Sequence, residues 1–317
     1  MNPIIEKLRR IKLSYALYNF FKKKELEHNL PLFKKFDLSK KYYSPLNSTD
    51  FAKLNPDFPW LDKTNSKTAL PENKTFQSLE GSIQKELLTW SDNGYVILRD
   101  FFSEATIDKI NSEIDDLVHQ DKVNWRANNS KIMFAIHQSK FLNEVGTAPQ
   151  LITILSLLLG REVCLFQSIN FLHGSEQRTH SDSIHMTTFP IGYLIAVWVA
   201  LEDISEENGP LHYYPGSHKL HYVMNKDYDN EGDKFFIGKH SYTAYEDKIQ
   251  EIVDDKKISK QIFKAKKGDV LIWHANLLHG GEPHLNKSKT RKSMVFHYYA
   301  KDVICYHEIS QRPALMK

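Results

Sequence analysis

The segment from His180 to Arg291 decides how this chain is read. It runs His180-Ser-Asp182, then Pro215-Gly-Ser-His218, Gly268-Asp-Val270 and His279-Gly-Gly281, and ends at Arg291. Two histidines and one carboxylate can occupy one face of an octahedral metal and leave the opposite face open. That arrangement suits non-haem Fe(II), which must take a co-substrate and O2 together. Arg291 follows His279 by twelve residues and carries a planar fork that grips a carboxylate through two parallel hydrogen bonds. Triad plus arginine reads as an oxygenase that consumes a 2-oxo acid.

Local patterning supports the spacing. In an extended strand, residues i and i+2 face the same way, so His180 and Asp182 can reach one ion from one strand end. The third donor must arrive from a distant part of the chain. Asp269-Val-Leu-Ile-Trp273 is apolar and β-prone and ends near His279, and Lys292 to Tyr299 reads as a second strand with Arg291 at its start. Phe189 to Leu201 is a long apolar run that reads as one strand buried on both faces. Glu206-Glu-Asn-Gly-Pro210 is a turn signal, Leu211-His-Tyr-Tyr214 a short strand, and Pro215-Gly216 the next turn. A second His-x-Asp, His119-Gln-Asp121, closes a helical pattern of Ile107, Ile110, Ile114 and Leu117. On a helix, i and i+2 diverge, so this copy reads as a solvated helix end. His185, His212, His218, His274 and His297 read as polar side chains that line or brace a barrel.

In order, His-x-Asp, Trp198-Val-Ala-Leu-Glu-Asp203, Glu207-Asn-Gly-Pro-Leu211, Pro215-Gly-Ser-His218, Gly268-Asp-Val-Leu-Ile-Trp-His274, Leu278-His-Gly280 and Arg291 resemble the phytanoyl-CoA dioxygenase family. Asp92-Asn-Gly-Tyr-Val-Ile-Leu98, then Phe101-Phe-Ser-Glu104 and an amphipathic helix, are similar to that family's opening strand and helix. The resemblance covers roughly residues 85–300. It implies a mainly-β fold with flanking helices, built on a double-stranded β-helix (jelly-roll, cupin-like) core. It also implies Fe(II), with 2-oxoglutarate and O2 as co-substrates. By position, His180, Asp182 and His279 would be the iron ligands and Arg291 would bind the distal carboxylate of 2-oxoglutarate. Trp198 would fall on the strand that walls the cofactor pocket, and Lys131 would be the upstream basic residue that helps hold 2-oxoglutarate. Two features depart from the family pattern, and one is a slightly stretched segment between His279 and Arg291, with Pro283, His284 and Asn286. The residue two after the distal histidine is usually serine, and here it is Gly281. Related halogenases lack the aspartate, so Asp182 points to hydroxylation.

Composition bounds the remainder. The chain has 317 residues, 41% hydrophobic and 12% aromatic, enough for one large β domain and an extension. We divide it into a basic N-terminal helical extension and connector over 1–80 and an oxygenase domain over 81–317. The charged, weakly patterned stretch 219–262 reads as an insertion between barrel strands, a place where substrate choice resides. No apolar run reaches the ~18 residues of a membrane helix, and the start lacks a secretory pattern. Cys164 and Cys305 form no metal or redox motif, and a reduced, cytoplasmic interior is expected.

The first 45 residues hold eleven lysines and arginines against four carboxylates, a net charge of +7 in a chain whose total is +3. Ile4, Leu8, Ile11, Tyr15, Tyr18 and Phe21 recur near helical spacing. This basic amphipathic helix is expected to pack on the barrel exterior, with contact to a membrane surface as the less favoured reading. The partner implied by the whole is a small-molecule or carrier-bound substrate, not nucleic acid. Two other function classes share the triad. A cupin-type isomerase would not need Arg291, and a silent scaffold would leave buried His and Asp groups unpaired at a cost.

Overall fold

The computed structural model describes residues 10–55, 57–126 and 130–315. Among the described residues, thirteen strands, all paired antiparallel, form three sheets. The largest has the order β1-β9-β6-β11-β4-β3-β2. Its members are Tyr95–Leu98 (β1), Asn124–Arg126 (β2), Lys131–Met133 (β3), Val163–Phe171 (β4), Leu194–Ala200 (β6), Val270–His274 (β9) and Ser293–Ala300 (β11). A smaller sheet, β10-β7-β8, joins His279–Gly281 (β10), Leu211–Tyr213 (β7) and Gln261–Phe263 (β8). A third, β13-β12-β5, joins Arg312–Pro313 (β13), Ile304–His307 (β12) and Thr187–Phe189 (β5). Together they give the jelly-roll core with flanking helices.

Strand parity explains how the core divides. On β6, Ala196, Trp198 and Ala200 face inward with Leu271 and Trp273 of β9 and Val295 of β11, against Leu211, Tyr213 and Phe263 of the smaller sheet. The alternate residues Ile195, Val197, Val199, Val270, Ile272, Met294 and Phe296 face outward into a second apolar layer. Every residue of β6, β9 and β11 is buried, because both sheet faces are covered and side chains alternate between them.

Two of the helices that cover the outer face show how the layer is built. Glu104–His119 (α2) buries Ile107, Ile110, Ile114 and Leu117, a period that places them on one side. Ser103 caps its start, accepting from Thr106 N–H. Pro149–Leu159 (α3) starts on a proline and ends at Gly160 in the left-handed region, φ +69°. Each Leu or Ile buried in this layer contributes roughly 1.5–3 kcal/mol.

The run from Phe189 to Leu201 is not one strand. Pro190 and Gly192 (φ +90°) turn the chain, so β5 pairs with β12 while β6 enters the large sheet. Proline removes the amide that would continue the ladder.

Residues 219–262 carry a fifteen-residue helix, Tyr242–Lys256 (α4), whose Tyr245, Ile249 and Val253 are buried at helical spacing, and they lead into β8. At the N-terminus a helix spans Lys12–Phe21 (α1) and buries only Asn19. Its expected inward stripe is only partly packed: Ile11 and Tyr15 are half-buried, whereas Tyr18 is 44% and Phe21 76% exposed. Packing of this region comes from the following segments, where Leu26, Leu32 and Phe33 are buried, the last two with Phe51, Phe189 and Tyr306. Ile4 and Leu8 of the stripe lie outside the described residues. Among the described residues no single helix is long and apolar enough to cross a membrane.

Candidate metal and co-substrate site

His180 and His279 meet across an isolated antiparallel bridge. Each donates its backbone N–H to the other's carbonyl at 2.9 Å, so β10 carries the distal histidine to the loop that carries the proximal one. Ser181 is extended, φ −114° and ψ 151°, and His180 and Asp182 therefore point the same way. Asp182 Oδ1 lies 3.9 Å from His180 Nε2 and 3.8 Å from His279 Nε2. The three donor atoms all fall within 4.8 Å of one another, and all three residues are buried.

The surroundings set which atoms are offered. His180 Nδ1 lies 2.9 Å from the Arg178 carbonyl and His279 Nδ1 lies 3.0 Å from that of Leu277. A carbonyl only accepts, so each Nδ1 carries the proton and each Nε2 presents its lone pair toward Asp182. Trp273 Nε1 donates to Asp182 Oδ2 at 2.7 Å, which leaves Oδ1 toward the histidines. Burial works against a charged Asp182, but His279, His297 and His180 outweigh it and hold the carboxyl well below the usual carboxylate range. Burial, reinforced by His279, keeps His180 neutral. An ionised carboxylate and a neutral His180 imidazole are forms that bind a divalent ion.

A cavity of about 330 Å³ opens from the triad and reaches Arg291, with Lys131, Gln177, Trp198 and His297 among its walls. Arg291 is 1% exposed. Its Nη1 donates to Ser293 Oγ at 2.9 Å, its guanidinium lies over Phe171 and Trp198, and its Nε has no hydrogen-bond partner. Burial lowers its pKa to about 10. Lys131 Nζ donates to Gln177 Oε1 at 3.3 Å, and burial followed by repulsion from Arg291 lowers its pKa. An enclosed guanidinium with an unused N–H is costly unless an anion completes it. The donor set thus fits a metal, and the far end of the cavity fits a carboxylate.

Trp198 stands where β6 parity places it, facing the cavity, with its Nε1 unpartnered. Of the remaining histidines, His297 faces the site, its Nε2 3.7 Å from Asp182 Oδ2, and His185 lines it beside His307 at 3.4 Å. His212 bridges Thr179 Oγ1 at 2.9 Å and Glu282 at 2.7 Å. His274 points the opposite way from Trp273, to Asp62 at 3.2 Å, and its ring lies 5.4 Å from that of His218. His218 lines a second cavity, of about 830 Å³, away from the triad. His119 ends α2 and takes no part in the metal cluster.

Three contributors were not recognised from the sequence. Trp273 was, in principle, legible: it shares its strand face with Leu271, toward Asp182. Tyr245 was not. Its hydroxyl accepts from Ser181 N–H at 3.0 Å and lies 3.1 Å from Ser181 Oγ, so α4 braces the residue between two ligands from 64 positions away. Ser175 is the third. A Cβ placed on Gly281 would lie 2.8 Å from Ser175 Oγ, so a hydroxyl from another segment fills the space a serine at 281 would take.

A jelly roll with a buried His-Asp-His face and an arginine at the far end of its cavity defines the class of non-haem iron oxygenases. Family comparison narrows this. Residues 90–293 match the family described as Phytanoyl-CoA dioxygenase (PhyH), more than half of the chain, and the protein belongs to that family. A curated relative, phytanoyl-CoA dioxygenase domain-containing protein 1 of Danio rerio, is 49% identical over 45 residues, 14% of this chain and 16% of the relative. The chain thus matches only about a sixth of that relative's length. Among solved structures, the non-heme alpha ketoglutarate dependent carbocyclase SnoK from nogalamycin biosynthesis superposes with TM-score 0.58 at 17% identity, over 73% of this chain and 88% of that one. EctD from S. alaskensis, solved with 2-oxoglutarate and 5-hydroxyectoine, gives 0.56 at 19%, over 81% and 86%. At such identities the likeness is one of fold. Iron and 2-oxoglutarate are the cofactors of this class, and the residues present here fit both.

Proposed function

We propose that the protein is an Fe(II)- and 2-oxoglutarate-dependent dioxygenase that hydroxylates a small-molecule or carrier-bound substrate and releases succinate and CO2. His180, Asp182 and His279 hold the iron, and Arg291 grips the distal carboxylate of 2-oxoglutarate through its free N–H edge. Lys131 adds a second positive charge, Ser175 adds a hydroxyl, and Trp198 walls the pocket. Bound iron would supply O2 activation coupled to oxidative decarboxylation of the 2-oxo acid, one oxygen atom going to succinate and one to the substrate. The chain's own work is to fix donor geometry, keep His180 neutral by burial, and enclose the reaction away from bulk water.

The observation that carries this reading is Arg291, buried and incompletely paired in the same cavity as the triad. A metal-only isomerase has no use for it. The test is a substrate screen that follows succinate release above the uncoupled background. Iron- and 2-oxoglutarate-dependent release stimulated by a substrate supports hydroxylation when the product gains one oxygen. A product with no added oxygen assigns another oxidation, such as ring closure, to the same site.

A further inference from the structure

The helix α1 turns a connected apolar stripe to water. Leu13 is 74% exposed, Leu17 56%, Phe20 43% and Phe21 76%. Positions 13, 17, 20 and 21 recur at i, i+4, i+7 and i+8, so they share one side of the helix. Single exposed apolar residues are ordinary, but several large ones aligned on one short helix mark a surface with a partner. The half-buried side of the same helix is already used. Ile11 bridges Phe236, Lys12 N–H donates to the Phe235 carbonyl at 2.8 Å, and Arg312 sits over the Tyr18 ring at 5.1 Å. The helix is therefore moored with the stripe facing away.

Charge around the stripe selects the partner. Lys23 Nζ lies 5.1 Å from the Phe20 ring. Phe20 packs edge-on against Tyr43 at 5.8 Å, and Lys41 Nζ lies 5.8 Å from the Tyr43 ring. Lys24, Lys34 and Lys35 are exposed on the segments that follow. Of the nearby acids, Glu25 is neutralised by Lys22 at 2.7 Å. An apolar centre of leucine and phenylalanine rimmed by lysines is complementary to a surface that is apolar below and anionic above. A water-soluble acidic protein would use the rim and leave the stripe wet.

We propose that α1 and the lysines around it form a docking surface for an anionic lipid bilayer. Leu13, Leu17, Phe20 and Phe21 enter the boundary between headgroups and acyl chains while Lys23, Lys24 and Lys41 meet the phosphates. This surface does not depend on the oxygenase reading.

The test uses the full-length protein in flotation with vesicles of phosphatidylcholine alone or with phosphatidylglycerol. Binding is expected only to the anionic vesicles, weakening as salt rises through the screening range. Lys23→Gln with Lys24→Gln should lower binding about thirtyfold, since each lysine near such a surface contributes about one kcal/mol. Leu17→Glu with Phe21→Glu should abolish it, with iron content and circular dichroism unchanged. Equal binding to both vesicle types, or binding untouched by the Leu17/Phe21 pair, overturns the proposal. So does a concentration-dependent dimer that the same pair dissolves while vesicles are ignored, which would assign the stripe to a second copy of the chain.

Discussion

The triad and α1 reverse the usual placement of polar and apolar side chains in opposite directions. Around the metal site, polar groups are taken out of water and each is held by a different element: His180 by the Arg178 carbonyl, His279 by that of Leu277, Asp182 by Trp273 of β9, and Ser181 by Tyr245 of α4. On α1, apolar groups are left in water and the helix is moored mainly through its start. The difference separates a part of the molecule whose polar groups are fixed from every side from a part whose apolar face is left open. Changes at the first should alter chemistry, and changes at the second should leave chemistry alone.

The largest effects belong to the ligands. His180→Ala and His279→Ala should remove iron and turnover together while the barrel stays folded. Asp182→Ala should end turnover with weak metal retained by two histidines. Metal analysis and circular dichroism check this, with His119→Ala as an unaffected control; full activity in any ligand variant would mean the triad is misassigned.

Next comes Arg291→Ala. Losing a charge-assisted bidentate contact from a buried site typically costs about 2–5 kcal/mol, a rise of roughly thirtyfold to several thousandfold in the 2-oxoglutarate requirement with metal content preserved. Arg291→Lys should recover part of the loss, since an ammonium has no fork. Steady-state titration of 2-oxoglutarate is the measurement.

A smaller effect sharpens the role of α4. Tyr245→Phe removes the hydroxyl that orients Ser181, and iron affinity should fall about tenfold, in the range seen for residues that position ligands. Competitive chelation reads this out. An unchanged affinity would make α4 a cover for the site, with no part in holding the ligand loop.

Acid should weaken the fold by way of buried histidines. Burial and His274 hold His218 at about 3, and burial and Arg312 hold His307 at about 4. Both lie below the unfolded value near 6.5, so the unfolded chain binds more protons between these limits. Stability is therefore full above about pH 6.5 and lost as pH falls toward 4. Melting of the metal-free protein should drop by about 5 °C between pH 7 and pH 5; a flat profile would show these rings already charged or solvated. The smallest effect closes the comparison. Leu17→Glu with Phe21→Glu should change stability in solution by no more than about 0.5 kcal/mol, because both side chains are already exposed.

How much of this was legible followed the range of the interactions. The apolar runs over 194–200, 270–274 and 293–300 were readable as buried strands because a short apolar run bounded by turn signals is a local pattern. The spacing of His180 and Asp182 was readable for the same reason. The continuous apolar run hid the break at Pro190 and Gly192, where a turn inside hydrophobic sequence moves the chain to another sheet. Tyr245 and Ser175 were illegible, since each reaches its partner through tertiary approach from a segment with no motif of its own. On α1 the sequence shows an amphipathic helix but not which side meets the protein. The apolar positions 11, 15 and 18 lie half a turn from 13, 17, 20 and 21, and only the mooring at Ile11 and Tyr18 decides between them.

The central claim is that the triad and Arg291 form one site for a metal and a 2-oxo acid. Calorimetric titration of 2-oxoglutarate into iron-loaded protein kept free of oxygen tests it most directly, because neither substrate nor turnover is required. The account predicts one 2-oxoglutarate per chain, bound only when iron is present, with affinity lost in His180→Ala and strongly reduced in Arg291→Ala. Binding that is indifferent to iron, or equal in wild type and Arg291→Ala, would contradict it.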